Sequence, residues 1–461
     1  MSEQGNRSDR EQGAIAVEAK RTGRLLSVLG VAFGLAVLVG NTIGMGILRT
    51  PGEIAAHLPS AAAFLLVWVA GAVYALLGAL CVSELGAMRP RSGGLYTFVH
   101  HALGGYPGFV SGWTDWIATC GSAAAVAMVI AEYLGPLVPA LSGWQTTVAA
   151  ALLVAFTLLH WRGVRMGDLA QQVTSLLKGI ALVALALVAL VVSAPEVADA
   201  PVAAAAPTLP AGMALAAAVV LSLQSAIYTY DGWTGPVYFG EEVRDPGRNL
   251  PRAMIGGVLI VLAIYLLLNA AFLRVVPIEQ MAGDPFVAAT AATRLFGPVG
   301  DTVLRVLMIL SLVASLSALL MMGSRVPYAL SRDRLFPQVL QRVNSGGTPV
   351  PALLAGSLLA LAFIASNTFD TVVSLLAFFF VANYVLTFTS LFVLRIREPD
   401  APRPFRVPLY PLVPGLALLG SLAFLAAAIY SDTKNSLLAI ALVAASWPVY
   451  WLLRRQRPDR R

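Results

Sequence analysis

Ser222-Leu-Gln-Ser-Ala-Ile-Tyr-Thr-Tyr-Asp-Gly-Trp-Thr-Gly-Pro236 is the stretch that decides the fold. It interrupts an otherwise apolar run with Asp231, Gly232, Gly235 and Pro236. Glycine costs about 1 kcal/mol in a helix interior and proline about 3. A helix through this stretch is therefore expected to break. Backbone freed by such a break cannot face lipid, so it must be buried in protein or line a cavity. A second stretch, Val39-Gly-Asn-Thr-Ile-Gly-Met-Gly-Ile47, followed by Pro51 and Gly52, carries the same signature. Taken alone, its Gly44-x-Gly46 pair has two readings: close helix packing through small residues, or an unwound segment whose free N–H groups bind an anion.

Working outward, the chain is apolar almost throughout. Of its 461 residues 58% are hydrophobic and 12% charged, and the mean hydropathy is +0.77. Soluble domains carry roughly twice that share of charge. Apolar runs of about 20 residues recur, each long enough to cross a bilayer as a helix. Spans are expected near 25–57, 61–88, 107–134, 145–161, 169–192 and 211–239, then 251–275, 299–328, 351–365, 371–394, 411–430 and 436–453. The fold class is thus an all-α polytopic membrane protein of about 12 helices. No polar block is long enough for a separate soluble domain, and the polar start, 1–24, does not read as a cleavable signal.

The charges sort by side. With the N-terminus in the cytoplasm, the cations of 7–24, 89–91, 162–165, 244–252, 325–342, 395–406 and 454–461 fall inside. Arg49, Arg274, Arg294, Arg305 and Lys434 remain outside. The positive-inside rule then favours an even number of spans with both termini cytoplasmic, in the cytoplasmic membrane. The net charge of +7 is accounted for by topology, with no nucleic-acid partner implied. Cys81 and Cys120 lie in apolar segments, which argues against disulfides and zinc. No metal-ligand spacing and no nucleophile–base pair is visible, so neither cofactor nor enzyme is expected.

The two interruptions occupy corresponding places, the first helix of the first five and the first helix of the next five. Paired breaks in two halves point to an inverted-repeat transporter with a midplane site. The expected organisation is a tail at 1–24, repeats at 25–193 and 210–394, two further helices at 410–453 and a basic tail at 454–461. Half-helix N-termini present positive dipole ends to an anion, and unwound carbonyls accept from an ammonium. An α-amino acid carries both groups.

Val39-Gly-Asn-Thr-Ile-Gly-Met-Gly-Ile-Leu48 resembles the first-helix motif of the amino acid–polyamine–organocation superfamily. Tyr228-Thr-Tyr-Asp-Gly-Trp233 and the Glu241–Arg252 segment resemble the sixth helix and following loop of its L-type amino acid transporter branch. Ser83–Met88, Ser92–Tyr96, Ser331–Pro337, Thr348–Pro351 and Pro402–Pro408 continue the likeness in order along the chain. The resemblance implies two inverted five-helix repeats plus two helices. It also implies site roles. Backbone groups around Ile43, Gly44, Met45, Gly46 and Ile47 hold the substrate carboxylate. Carbonyls at Tyr228 and Tyr230, beside Asp231 and Gly232, receive the amino group. Tyr228 stands at an aromatic gate, and Asn383 faces the side-chain pocket. Met45 departs from the Ser or Thr frequent at its position, and Arg49 from a small or apolar residue. The loop 135–143 lacks the cysteine that animal members use to join a partner subunit, so no disulfide-linked partner is expected.

Lys178 lies ten residues into its span, about 15 Å from one face of a ~30 Å core. Two readings stand: a structural cation bound to the unwound first helix, or a group that replaces a sodium ion or titrates during transport. The second would make the proton a co-substrate. Asp231 is expected to cap the outer half-helix as an N-cap residue, with direct contact to a substrate ammonium as the alternative. Glu84 and Asp115, near the inner ends of their helices, are expected to pair with loop arginines, with a proton path as the alternative. Arg49, Glu53 and His57 share a helix face, read as a solvated outer face, with an external gate as the alternative. Met321-Met322 and Phe378–Phe380 read as packing. The function these features point to is secondary transport of L-amino acids with neutral side chains, by exchange or proton symport. Cationic amino acid or polyamine transport and a non-transporting sensor are the alternatives.

Overall fold

Long apolar runs in a medium without water satisfy their backbone only within each segment, so helices follow directly. The computed structural model describes residues 25–44, 46–191, 209–284, 286–366, 369–431 and 433–455. The terminal tails and Met45 lie outside them, and the Arg49 side chain is likewise not described. Sixteen α-helices account for nearly all of the described chain. They are α1 (Val31–Thr42), α2 (Gly46–His57), α3 (Ala61–Met88), α4 (Tyr96–Leu103), α5 (Gly105–Leu137), α6 (Gln145–Trp161), α7 (Val164–Val191) and α8 (Gly212–Tyr230). Then follow α9 (Pro246–Val275), α10 (Ile278–Met281), α11 (Val287–Phe296), α12 (Gly300–Arg332), α13 (Val350–Ser366), α14 (Phe369–Arg397), α15 (Leu412–Ser431) and α16 (Thr433–Arg455).

Nine of the described helices are long and apolar enough to cross a membrane. The other three predicted spans are the 17-residue α6 and α13 and the broken pair α1–α2. Seventeen residues rise about 25 Å, at the short end of a spanning helix. The predicted first span is two 12-residue helices. The predicted sixth ends as a helix at Tyr230, and a 3-10 turn, Gly235–Tyr238, replaces its last stretch. Three short helices were not predicted. The helix α4 follows the glycine turn at Gly93 and Gly94, both at positive φ. The pair α10 and α11 fills the connection between α9 and α12.

Two packing relations position the site. The helix α1 is enclosed by α7, α9 and α12, while α8 lies against α2 and α3. At their junction sits an aromatic core: Trp68, Tyr230 and Tyr265 are buried, with the Tyr230 and Tyr265 rings 4.9 Å apart and the Trp68 ring 5.6 Å from Tyr265. Close approach is set by glycine at Gly40, where an added Cβ would fall 2.1 Å from Gln171 Nε2.

Several charged groups sit differently from expectation. Glu84 does pair with arginines, Arg395 at 2.6 Å and Arg403 at 3.1 Å. Asp115 does not: its Oδ1 accepts the Tyr238 hydroxyl at 2.6 Å. Arg325, counted with the loop cations, is buried within α12. Its guanidinium grips both Glu242 oxygens, at 3.0 and 2.8 Å, and lies over the Phe239 ring. A buried bidentate pair of this kind is a structural strut, because the planar fork of arginine matches the carboxylate.

Candidate functional site

The first break follows from the end of α1. Ile43 leaves the helix with extended backbone, its N–H still bonded to Val39 O at 3.1 Å. The carbonyls released there are collected from two neighbouring helices. Lys178 on α7 donates to Gly40 O at 2.9 Å, to Ile43 O, and to Ser315 Oγ at 3.3 Å. From α12, Ser315 donates to Gly40 O at 2.6 Å and Ser311 to Ile43 O at 3.1 Å. Both backbone groups of Ile43 are therefore engaged within the protein, and its side chain is buried. Gln171 and Ser175 hold Ala36 O one turn earlier.

The second break begins at Asp231, whose N–H bonds Tyr228 O at 3.1 Å in a last tight turn. Asp231 is the C-cap of α8, not an N-cap. A carboxylate at a helix C-terminus meets the negative end of the dipole. Its stabilisation comes instead from the Tyr384 hydroxyl on α14. Gly232 then reverses the chain at φ +108°, a conformation that L side chains rarely adopt. The reversal brings the breaks together: Asn41 Nδ2 donates to Gly232 O at 3.3 Å. Tyr265 spans both, its hydroxyl 3.0 Å from Thr42 O and 3.0 Å from Thr229 O. Thr50 on α2 and Thr229 on α8 share a 2.9 Å hydroxyl contact.

Between the breaks lies a cavity of about 160 Å³. That is below the roughly 300–1,000 Å³ of drug-sized sites, and suits a small solute. Gly44, Gly46, Asn41 and Thr42 form one wall; Tyr228, Thr229, Asp231, Gly232 and Thr234 form the facing one. The rest comes from Thr119, Ser122, Ala125 and Val126 on α5, from Leu312, Ser315, Leu319 and Met322 on α12, from Leu376 and Phe380 on α14, and from Tyr238. Among these described lining residues there is no lysine or arginine, and Asp231 is the one carboxylate.

The structure thus gathers Gly44, Gly46, Tyr228, Asp231 and Gly232 at one cavity. Ile47 and the Tyr230 side chain are buried behind it. Asn383 is buried as well, and donates to Thr114 Oγ1 at 3.2 Å away from the cavity walls. Met322 and Phe380, read as packing, are walls. Tyr265, Ser311, Ser315 and Asn41 were missed. Ser311 and Ser315 do carry a signal, two hydroxyls one helical turn apart in an apolar run. Tyr265 is a single hydroxyl in a long apolar helix, which leaves its partner undetermined.

Residues 24–452 match the amino acid permease family. The chain is 30% identical over 438 residues to the serine/threonine exchanger SteT of Bacillus subtilis, covering 93% of this chain and 97% of that protein. It is 28% identical over 455 residues to the b(0,+)-type amino acid transporter 1 of Mus musculus, covering 97% and 91%. Similarity at 28% over 437 residues extends to the Mus musculus large neutral amino acids transporter small subunit 2, covering 92% and 80%. With the two breaks, the cavity between them and a family match over nearly the whole length, the chain belongs to the amino acid permease family of multi-pass membrane transporters.

Proposed function

We propose that this protein carries small neutral L-amino acids across the cytoplasmic membrane by alternating access around the cavity between its two helix breaks. It is a transporter of amino acids and not an enzyme, as its relatives are. The observation that carries the substrate reading is the pairing of opposite polarities at one small cavity. The start of α2 at Gly46 offers the unpaired N–H groups of a helix N-terminus. Across from it, the end of α8 presents its last carbonyls and Asp231. A carboxylate seats at the first and an ammonium at the second. The absence of a cation among the described lining residues disfavours acidic side chains. Small and apolar residues on α5, α12 and α14 set the side-chain space.

In this proposal Gly44, Met45, Gly46 and Ile47 belong to the carboxylate side, and Tyr228, Tyr230, Asp231 and Gly232 to the amino side. Ile43 supports the first group through bonds already made within the protein, and Asn383 supports α5 from α14. Tyr228 closes over the ligand from α8. Lys178 serves as a fixed cation that keeps the first break open, because its donors are directed at Gly40, Ile43 and Ser315. The repeats are 25–193 and 210–394, with both termini cytoplasmic by the arginine distribution. Cys81 and Cys120 are buried free thiols, and the 135–143 loop has no cysteine, so the protein works without a disulfide-linked partner.

The test is uptake of labelled alanine into liposomes holding the purified protein, empty or loaded with unlabelled neutral amino acids. Uptake stimulated by loading is expected for an exchanger, and concentrative uptake into empty vesicles for a symporter. No alanine uptake in either preparation overturns the neutral amino acid reading.

A further inference from the structure

Beneath the cavity, toward the start of α5, a buried carboxylate has no counter-cation among the described residues. Asp115 is 1% exposed. Its Oδ1 accepts from Tyr238, and its Oδ2 has no hydrogen-bond partner among the described residues. Two more buried atoms nearby are in the same state: Ser111 Oγ, one turn along the same helix, and Asn383 Oδ1, whose amide nitrogen is bonded to the adjacent Thr114. An ionised carboxylate so deep, without a cation, is strongly disfavoured. A protonated one gains a donor, and Asn383 Oδ1 is a buried acceptor without a partner among the described residues.

Among the described residues, the titratable and charged groups on the elements around Asp115 leave it no cation. From the second break and the segment after it come Asp231, a carboxylate at the same cavity, and Tyr238, in contact. On its own helix Cys120 lies one turn away. On α14 stand Asn383 and Tyr384, the latter bonded to Asp231. On α12 Arg325 is occupied by Glu242, and on α4 His100 lies against Asp333.

A path also exists. Ser111, Asp115, Thr119 and Ser122 follow the i, i+4 and i, i+3 spacings of one face of α5. Thr119 and Ser122 line the cavity, and Asp115 sits about 6 Å of helix rise further in. Tyr238 touches both the cavity and Asp115.

We propose that Asp115 is a proton-binding site of this transporter, sensed at the cavity through Tyr238. As a carboxylate it holds the Tyr238 hydroxyl by a charge-assisted bond, which is about twice as strong as a neutral one. On taking a proton from solution it becomes a neutral acid and that hold on the segment after the second break weakens. The proton thereby biases the position of one wall of the substrate cavity. The proposal rests on the amino acid transport reading, and its test separates the two.

Labelled alanine uptake is followed in liposomes in two modes, counterflow at equal pH and accumulation into empty vesicles under an inward proton gradient, with a pH dye reporting proton entry. Sodium is replaced by choline throughout in a parallel set. Wild type is expected to accumulate alanine up to about tenfold per pH unit for one proton per substrate, with dye-reported proton entry. Asp115→Asn is expected to lose this accumulation while still exchanging alanine, and Asp115→Glu to restore it. Accumulation that survives in Asp115→Asn overturns the proposal. So does wild type that performs counterflow but shows no accumulation and no alanine-dependent proton entry under the gradient, or accumulation that follows sodium instead. Should neither variant fold, the wild-type dye signal still decides whether a proton moves. Failure of wild-type counterflow itself would count against the transport reading, not against Asp115 alone.

Discussion

At the scale of single residues, the site depends on a few groups with no substitute. Lys178 contributes charge-assisted bonds to carbonyls that the broken helix releases, each worth about 1.5–3 kcal/mol. Lys178→Ala is expected to lower alanine uptake in liposomes more than tenfold. Ser311 and Ser315 still hold one bond to each carbonyl, so the variant should remain folded in detergent, and full uptake by Lys178→Ala would show that the cation is dispensable. Gly232 is constrained differently. An alanine there must adopt φ +108°, and its Cβ would approach Thr42 N to 3.0 Å and Asn41 Nδ2 to 2.7 Å. Strain of about 1–2 kcal/mol plus a backbone clash at the junction of the breaks should abolish uptake and lower the thermal transition. Lys178 and Gly232 were legible in the sequence because each is costly where it stands: a cation deep in an apolar run, a glycine inside a helix. Asp115 was legible only as a charge. Its partner, 123 residues away, was not.

At the scale of elements, one side chain reaches the ends of both broken helices at once. The Tyr265 hydroxyl on α9 shares its one hydrogen between Thr42 O at the end of α1 and Thr229 O in the last turn of α8, both 3.0 Å away. Tyr265→Phe keeps the ring packing against Trp68 and Tyr230 and removes only the shared donor. The expected cost is about 1–3 kcal/mol for the unsatisfied carbonyls, read as a lowered thermal transition in detergent together with weakened substrate affinity. A transition at the wild-type temperature would mean that water replaces the hydroxyl there. The short helices α4, α10 and α11 escaped the sequence reading because hydropathy windows of a span's length average over elements of 4–10 residues.

At the scale of the whole molecule, the chain closes on itself away from α2 and the outer connections. Leu29, just before α1, exchanges backbone bonds with Glu242 and Arg244, both 2.8 Å, beyond the second break. Glu242 is in turn gripped by Arg325 of α12. This ties three segments far apart in sequence at one point. Arg325→Met strands a buried carboxylate, at an expected cost of about 3–5 kcal/mol, and should yield little monodisperse protein on size exclusion. Removing the charge from both, Glu242→Gln with Arg325→Met, should recover most of it, since the penalty comes from the unpaired charge and not from the loss of the pair. A double variant no better than the single one would show that the bond itself, and not charge balance, holds the fold.

Hydropathy and helix breakers are properties of neighbouring residues, and those decided the number of spans, the places where two of them fail, and the kind of ligand such failures accept. The sequence by itself determined this much because a bilayer leaves a backbone few choices. Which side chains satisfy each broken segment depended on which helices abut. Lys178, Ser311, Ser315 and Tyr265 reach the first break from positions more than 130 residues along the chain. Only the tertiary structure decided that Asp115 meets a tyrosine where an arginine was expected, and that Arg325 is buried where a loop cation was expected. A buried polar group takes the partner that packing delivers, and packing is not written in any local stretch.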